Sequence, residues 1–138
     1  MKKFLWAGRK IKLKNLEIIN ELAKEFDIEM VSNLSHAELQ EKIRNCYAVI
    51  LPSYSEVCPN FILEAASFGK PFIVTEETGL KEIYSKGGTF VNPFDKKALK
   101  EAILELSKSE KYEQYKEELV SISVKRPWRT VALEFLSI

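Results

Sequence analysis

The sequence predicts a single α/β domain, with a parallel sheet of about five strands and helices on both faces, making three layers. Three observations predict it. Short apolar runs alternate with amphipathic stretches along the whole of the 138 residues. The runs are apolar throughout instead of alternating, as strands buried on both faces must be. The length is that of one domain, enough to bury a core without disulfides or metals.

The elements follow in order. The run KKFLWAG reads as a strand ending at Gly8, and NLEIINELAKEF then sets Leu16, Ile19, Leu22, Ala23 and Phe26 at helical spacing. IEMV, from Ile28 to Val31, is the second strand. Ser35 followed three residues later by Glu38 is a capping box opening the next helix. YAVILPS, from Tyr47 to Ser53, is a continuous apolar run and the third strand. FILEAASF is a helix stopped by Gly69, at a natural C-terminal cap position. PFIVT and GTFVN are the fourth and fifth strands. KKALKEAILELS and YEQYKEELVSI are helices, and a last helix over about 127–137 begins at Pro127, a favoured first-turn residue.

Strand–helix alternation with apolar strands predicts a Rossmann-like layered domain over 1–138, with right-handed crossovers. The expected strand order is 2-1-3-4-5. Ligands of such sheets bind beyond the C-terminal strand ends, at the switch point between strands 1 and 3. That rule puts Gly8–Lys14 and Pro52–Glu64 around one crevice.

Composition narrows the function. The formal charge is +1, with both signs mixed along the chain, and no basic stripe is present; nucleic acid is not an expected partner. Cys46 and Cys58 form no zinc-like or C-x-x-C spacing, so the chain reads as an intracellular protein with reduced thiols. The apolar stretch Phe4–Ala7 after Lys2 and Lys3 is too short for a signal peptide, and no run approaches the roughly 20 residues of a membrane span. The expected location is the cytoplasm, peripheral to a membrane through a partner.

The most informative stretch is LPSYSEVCPNFILEAASFGKP, Leu51 to Pro71. Glu56 and Glu64 are separated by seven residues in it, with Pro59 and Asn60 among them. Here a buried strand leads through a loop into a helix. The free amides and dipole of a helix start attract phosphate. A carboxylate in the second turn can accept hydrogen bonds from the two vicinal hydroxyls of a ribose.

This region resembles the family 4 retaining glycosyltransferases of the two-domain GT-B type. The shared features are a Pro-Ser, an E-x₇-E containing PN, EA…G-x-P, a T-G-x-x-E turn (here TGLKE) and G-x-x-V-x-P (here GTFVNP). The opening FLWAGRKIKLKN is similar to the family's GR…KN segment, and RPWRTVALEFLSI to its Trp-containing terminal helix. The resemblance implies half of a GT-B fold: the C-terminal domain, which binds a nucleotide-diphosphate sugar, UDP- or GDP-linked.

The residue roles are what the resemblance implies. Arg9 and Lys14 neutralise the donor diphosphate, Arg9 as a bidentate fork and Lys14 as a point charge. Glu56, the catalytic residue, lies against the hydroxyls of the transferred sugar. The amides of Cys58, Asn60 and Phe61 contact sugar and phosphates, and Glu64 holds the nucleoside ribose. The base stacks near Met30–Leu34. No cofactor is implied, and no Asp-x-Asp motif is present to hold a metal. The chain departs from the family pattern by lacking the G-x-G-P strand and a helix before LPS. Set against the family pattern, the acceptor-binding half is also absent from these residues, so the resemblance implies a partner that is either a separate polypeptide or a deleted portion of a longer gene.

Plainer readings stand beside these. Lys10 and Lys12 alternate with Lys14, and any of the three can take the phosphate role. Isolated glutamates near a helix start are commonly just dipole-stabilised. His36 reads as an exposed helix-start residue, Cys58 as a packing residue, and Gly79, Gly87 and Gly88 as turn glycines. The terminal helix carries Trp128, Val131, Leu133, Phe135, Leu136 and Ile138, which either close the domain's own core or mediate self-association. A non-catalytic nucleotide-sugar-binding module is the alternative function, and a receiver-like protein fits the strand count but not the motif.

Overall fold

The structure is a computed structural model that describes residues 2–11, 14–56, 59–82, 84 and 86–125. Lys12, Cys58 and the helix expected over 127–137, with Trp128 and Phe135, lie outside the described residues.

The apolar runs form strands where the sequence predicts them: β1 (Phe4–Ala7), β2 (Ile28–Val31), β3 (Ala48–Leu51), β4 (Phe72–Thr75) and β5 (Gly88–Val91). They make one parallel sheet in the order β2-β1-β3-β4-β5, as expected. Every residue of β1, β3 and β4 is buried, which is why these segments are apolar on both faces, while the edge strand β2 is half-buried.

The helices are α1 (Leu16–Leu22), α2 (His36–Asn45), α3 (Asn60–Ser67), α4 (Lys96–Leu106) and α5 (Ser109–Lys125). Right-handed crossovers put α1 on one face and α2 and α3 on the other. α4 joins α1's side, where Lys96 pairs with Glu21 and Lys100 with Glu25, both at 2.8 Å. α5 returns to pack on α3. Tyr112 holds it there: its hydroxyl donates to the Tyr47 carbonyl at 2.7 Å, and the two rings stack 4.0 Å apart. Burial pushes the Tyr112 phenol up to about 12.

Helix ends follow local chemistry. Ser35 Oγ accepts from the Glu38 amide at 3.2 Å and Glu38 accepts from the Ser35 amide at 3.1 Å, completing the capping box. After α3, Gly69 adopts φ +71, with the Lys70 amide bonded to the Ala65 carbonyl and the Gly69 amide to that of Ala66. That is a Schellman cap, in which a residue with a Cβ would be strained. α1 is shorter than its periodicity suggests, ending at Leu22, with turns through Phe26 before β2. Gly87 is a turn glycine at φ +87. Gly88 has another reason to be glycine: it begins β5, where an added Cβ would sit 2.1 Å from the Phe72 ring.

Candidate functional site

The connections β1–α1, β2–α2 and β3–α3 leave the C-terminal ends of adjacent strands and converge at one end of the sheet. Asn15, in the β1–α1 connection, ties the β3–α3 connection to the one between β5 and α4. It is buried, adopts the left-handed φ of 58°, and donates through Nδ2 to the carbonyls of Pro52 (3.0 Å) and Pro93 (2.8 Å). The amide thus satisfies loop carbonyls that have left the sheet.

Beside this clamp, Lys14 and Glu56 form an ion pair, with the ammonium on Glu56 Oε1. Both side chains are mostly buried, and Ser53 Oγ donates to the same oxygen at 2.8 Å. The Glu56 amide donates to the Glu77 carbonyl at 2.9 Å, in a short parallel bridge to the loop after β4. Glu56 is therefore held by its backbone as well as its carboxylate. Its carboxylate is set at the crevice opposite the β1–α1 loop.

Pro59 caps α3 and offers no side-chain hydrogen bond. The Ile62 and Leu63 amides turn back to the Pro59 carbonyl, at 3.0 and 3.2 Å. The Asn60 and Phe61 amides have no partner among the described residues, as at any helix start that lacks a side-chain cap. One turn further, Glu64 is buried at 8% exposure, and burial raises its carboxyl above the usual range, with His36 pulling the other way. Its Oε1 lies 3.3 Å from His36 Nδ1, and its Oε2 has no hydrogen-bond partner.

Arg9 is exposed, and its side chain makes no hydrogen bond or ion pair among the described residues, while its carbonyl accepts from the Ile11 amide at 2.9 Å. It borders a cleft of about 200 Å³ lined by Gly8, Arg9, Val31, Ser32, Asn33 and Leu34, among others. That is the segment expected to receive the base. A larger open hollow, about 700 Å³, lies by Lys2 and the α4–α5 junction, away from the strand C-termini, so volume alone does not locate the site.

The fold therefore gathers Arg9, Lys14, Glu56, Asn60, Phe61 and Glu64 around one end of the sheet. Cys58 is not described. Three contributors were not assigned roles from sequence. Asn15 and Ser53 stand inside the quoted KN and PS motifs, so position alone could have drawn notice to them. His36 is exposed as expected, at 68%, but it is also the residue that meets Glu64. Among the described residues no three His, Cys, Asp or Glu side chains gather as a metal cluster, and no helix is long and apolar enough to cross a membrane.

Comparisons with known proteins bear on the fold and the family. The structure is similar to the C-terminal domain of a glycosyl transferase group 1 family protein, LpcC, from Francisella tularensis. The TM-score is 0.74 at 15% identity, over 90% of this chain and 85% of that one. It is similar to sucrose-phosphate synthase from Thermosynechococcus elongatus, with TM-score 0.73 and 19% identity, over 99% of this chain and 44% of that one. It is also similar to Anabaena HepE, solved in complex with UDP-glucose, with TM-score 0.73 and 14% identity, over 98% of this chain and 47% of that one. The chain thus spans less than half the length of the latter two. No curated protein matches it. The model of the family described as "Glycosyl transferases group 1" matches residues 3–119. With most of its length matched, and a sheet and helices like those of half a GT-B enzyme, the chain belongs to the glycosyl transferases group 1 family.

Proposed function

We propose that this chain is the donor-binding half of a retaining glycosyltransferase, taking a nucleotide-diphosphate sugar and acting with an acceptor-binding half. One observation carries the reading. An uncapped helix start, at Asn60 and Phe61, stands between a mostly buried glutamate paired with a lysine, Glu56, and a buried glutamate with an unpartnered oxygen, Glu64. The helix-start amides, without a partner among the described residues, and Lys14 suit a diphosphate, and Arg9 stands exposed at the same end. Glu64 suits the ribose and Glu56 the sugar hydroxyls. The likeness to HepE, solved with UDP-glucose, makes a uridine diphosphate sugar the first donor to test.

Catalysis by such a site is mostly electrostatic. Positive charge and helix amides, fixed in place before reaction, stabilise the departing diphosphate. Transfer also needs the acceptor held in register, and well-oriented reactants are worth roughly 7–11 kcal/mol of barrier. The acceptor half, supplied by another subunit or another part of a longer polypeptide, provides that register. Isothermal titration with UDP, GDP and ADP and their sugars tests the donor site. Binding of one diphosphate series supports it, and no heat with any of them would sink it.

A further inference from the structure

Glu56 places one carboxylate oxygen between two donors. Oε1 accepts from the Lys14 ammonium and, at 2.8 Å, from the Ser53 hydroxyl, while Oε2 accepts from none of the described residues. The two donors differ in freedom. Ser53 is fully buried two residues beyond β3, and its hydroxyl makes no other hydrogen bond among the described residues. Lys14 carries its charge on a flexible stem, with 20% of the side chain exposed against 12% for Glu56.

Neighbouring residues keep the two donors in register. Asn15, next to Lys14, donates to the carbonyl of Pro52, next to Ser53, at 3.0 Å. The Glu56 amide is held by the Glu77 carbonyl at 2.9 Å. The frame around Oε1 is thus tied through the backbone, and the ammonium is the member that can swing without moving it. A diphosphate offers that ammonium a second, more highly charged acceptor. Were the lysine the sole donor, its departure would strand a mostly buried carboxylate oxygen, which is costly. The Ser53 hydroxyl offsets that cost.

We propose that Ser53 is the positioning residue that lets Lys14 change partners: its hydroxyl keeps Oε1 of Glu56 in place when a diphosphate draws the ammonium away. Phosphate binding and the placement of the Glu56 carboxylate are then coupled through one oxygen. This rests on the reading of Lys14 as a phosphate contact. Ser53 does not itself touch the ligand. It acts through Glu56, by making release of the lysine cheap.

Titration calorimetry at low salt, with inorganic diphosphate and UDP as probes, compares the wild type with Ser53→Ala, Ser53→Cys, Glu56→Ala and the double variant Ser53→Ala/Glu56→Ala. Ser53→Ala should weaken both probes by about 3–10-fold, because the carboxylate then keeps the lysine for want of another donor. Ser53→Cys fills the same space with a weak donor and should lose a similar amount. With Glu56→Ala in place, Ser53→Ala should change either probe by less than about twofold, a cancellation that a purely structural role for Ser53 would not produce. Unchanged binding in Ser53→Ala, wild-type affinity in Ser53→Cys, or an equal loss in the Glu56→Ala background overturns the proposal and leaves the donor-site reading intact. A wild type that binds neither probe removes that reading, and the proposal with it.

Discussion

Lys14 and Glu56 neutralise each other across the crevice, although 42 residues separate them in the chain. The lysine's charge is therefore already engaged by the carboxylate. A diphosphate arriving at the helix start competes with Glu56 for it. Glu56→Gln removes the competitor while keeping the shape. It should raise affinity for inorganic diphosphate by about 3–10-fold at low salt, with the gain shrinking as salt screens the remaining charges. Titration at low and high salt reads this directly, and a weaker diphosphate complex would exclude Lys14 from the phosphate site.

Arg9 is the exposed cation at the cleft mouth. Arg9→Ala should weaken UDP by about 1.5–3 kcal/mol, the worth of a charge-assisted hydrogen bond, and leave uridine unchanged. Parallel losses for UDP and uridine would mean that Arg9 supports the loop and not the phosphate.

Glu64 trades stability for its place in the site. Burial raises its carboxyl pKa in the folded chain, so the folded state favours the protonated form. The stability this lends is fully present below the unfolded carboxylate value and is lost as pH rises through the raised folded one. At neutral pH the ionised group therefore burdens the fold. Glu64→Gln should raise Tm by about 2–5 °C at pH 7, with the advantage fading as pH falls through the carboxylate range. The same variant should lose ribonucleotide binding. A Tm gain that is flat with pH would show that the charge is not the cause.

Asn15 does what no other residue type can do there. It tolerates the left-handed backbone and donates to both Pro52 and Pro93. Asn15→Ala should cost about 2–4 kcal/mol in urea unfolding, from strain and two abandoned carbonyls. Asn15→Gly relieves the strain alone and should recover only about 1 kcal/mol of that. If both variants unfold like the wild type, the clamp carries no stability.

Cys46 is buried, and burial pushes its thiol up to about 11, so at pH 8 the unreactive thiol is the favoured form. Peptide mass spectrometry after iodoacetamide treatment at that pH should find Cys46 unmodified in the folded protein and alkylated in urea. Rapid labelling of the folded chain would show that this part of the core opens readily.

What the sequence by itself determined is what neighbouring residues settle among themselves. Apolar runs bounded by turn residues become buried strands. Ser35 and Glu38 close a helix start within one turn, and Gly69 ends α3 because the chain must enter the left-handed region there. Strand order was legible as well, since alternation with right-handed crossovers leaves few arrangements. The tertiary structure alone decided who meets whom at the site. Asn15 reaches carbonyls 37 and 78 residues away, Lys14 finds Glu56, and a helix-start histidine faces the buried glutamate of another helix. No local pattern marks those pairs, because they form only when parallel strands bring successive loops to the same end of the sheet. Gly88 makes the same point within the core: its neighbours in sequence suggest a turn, but it is the Phe72 ring, on the adjoining strand, that leaves no room for a side chain.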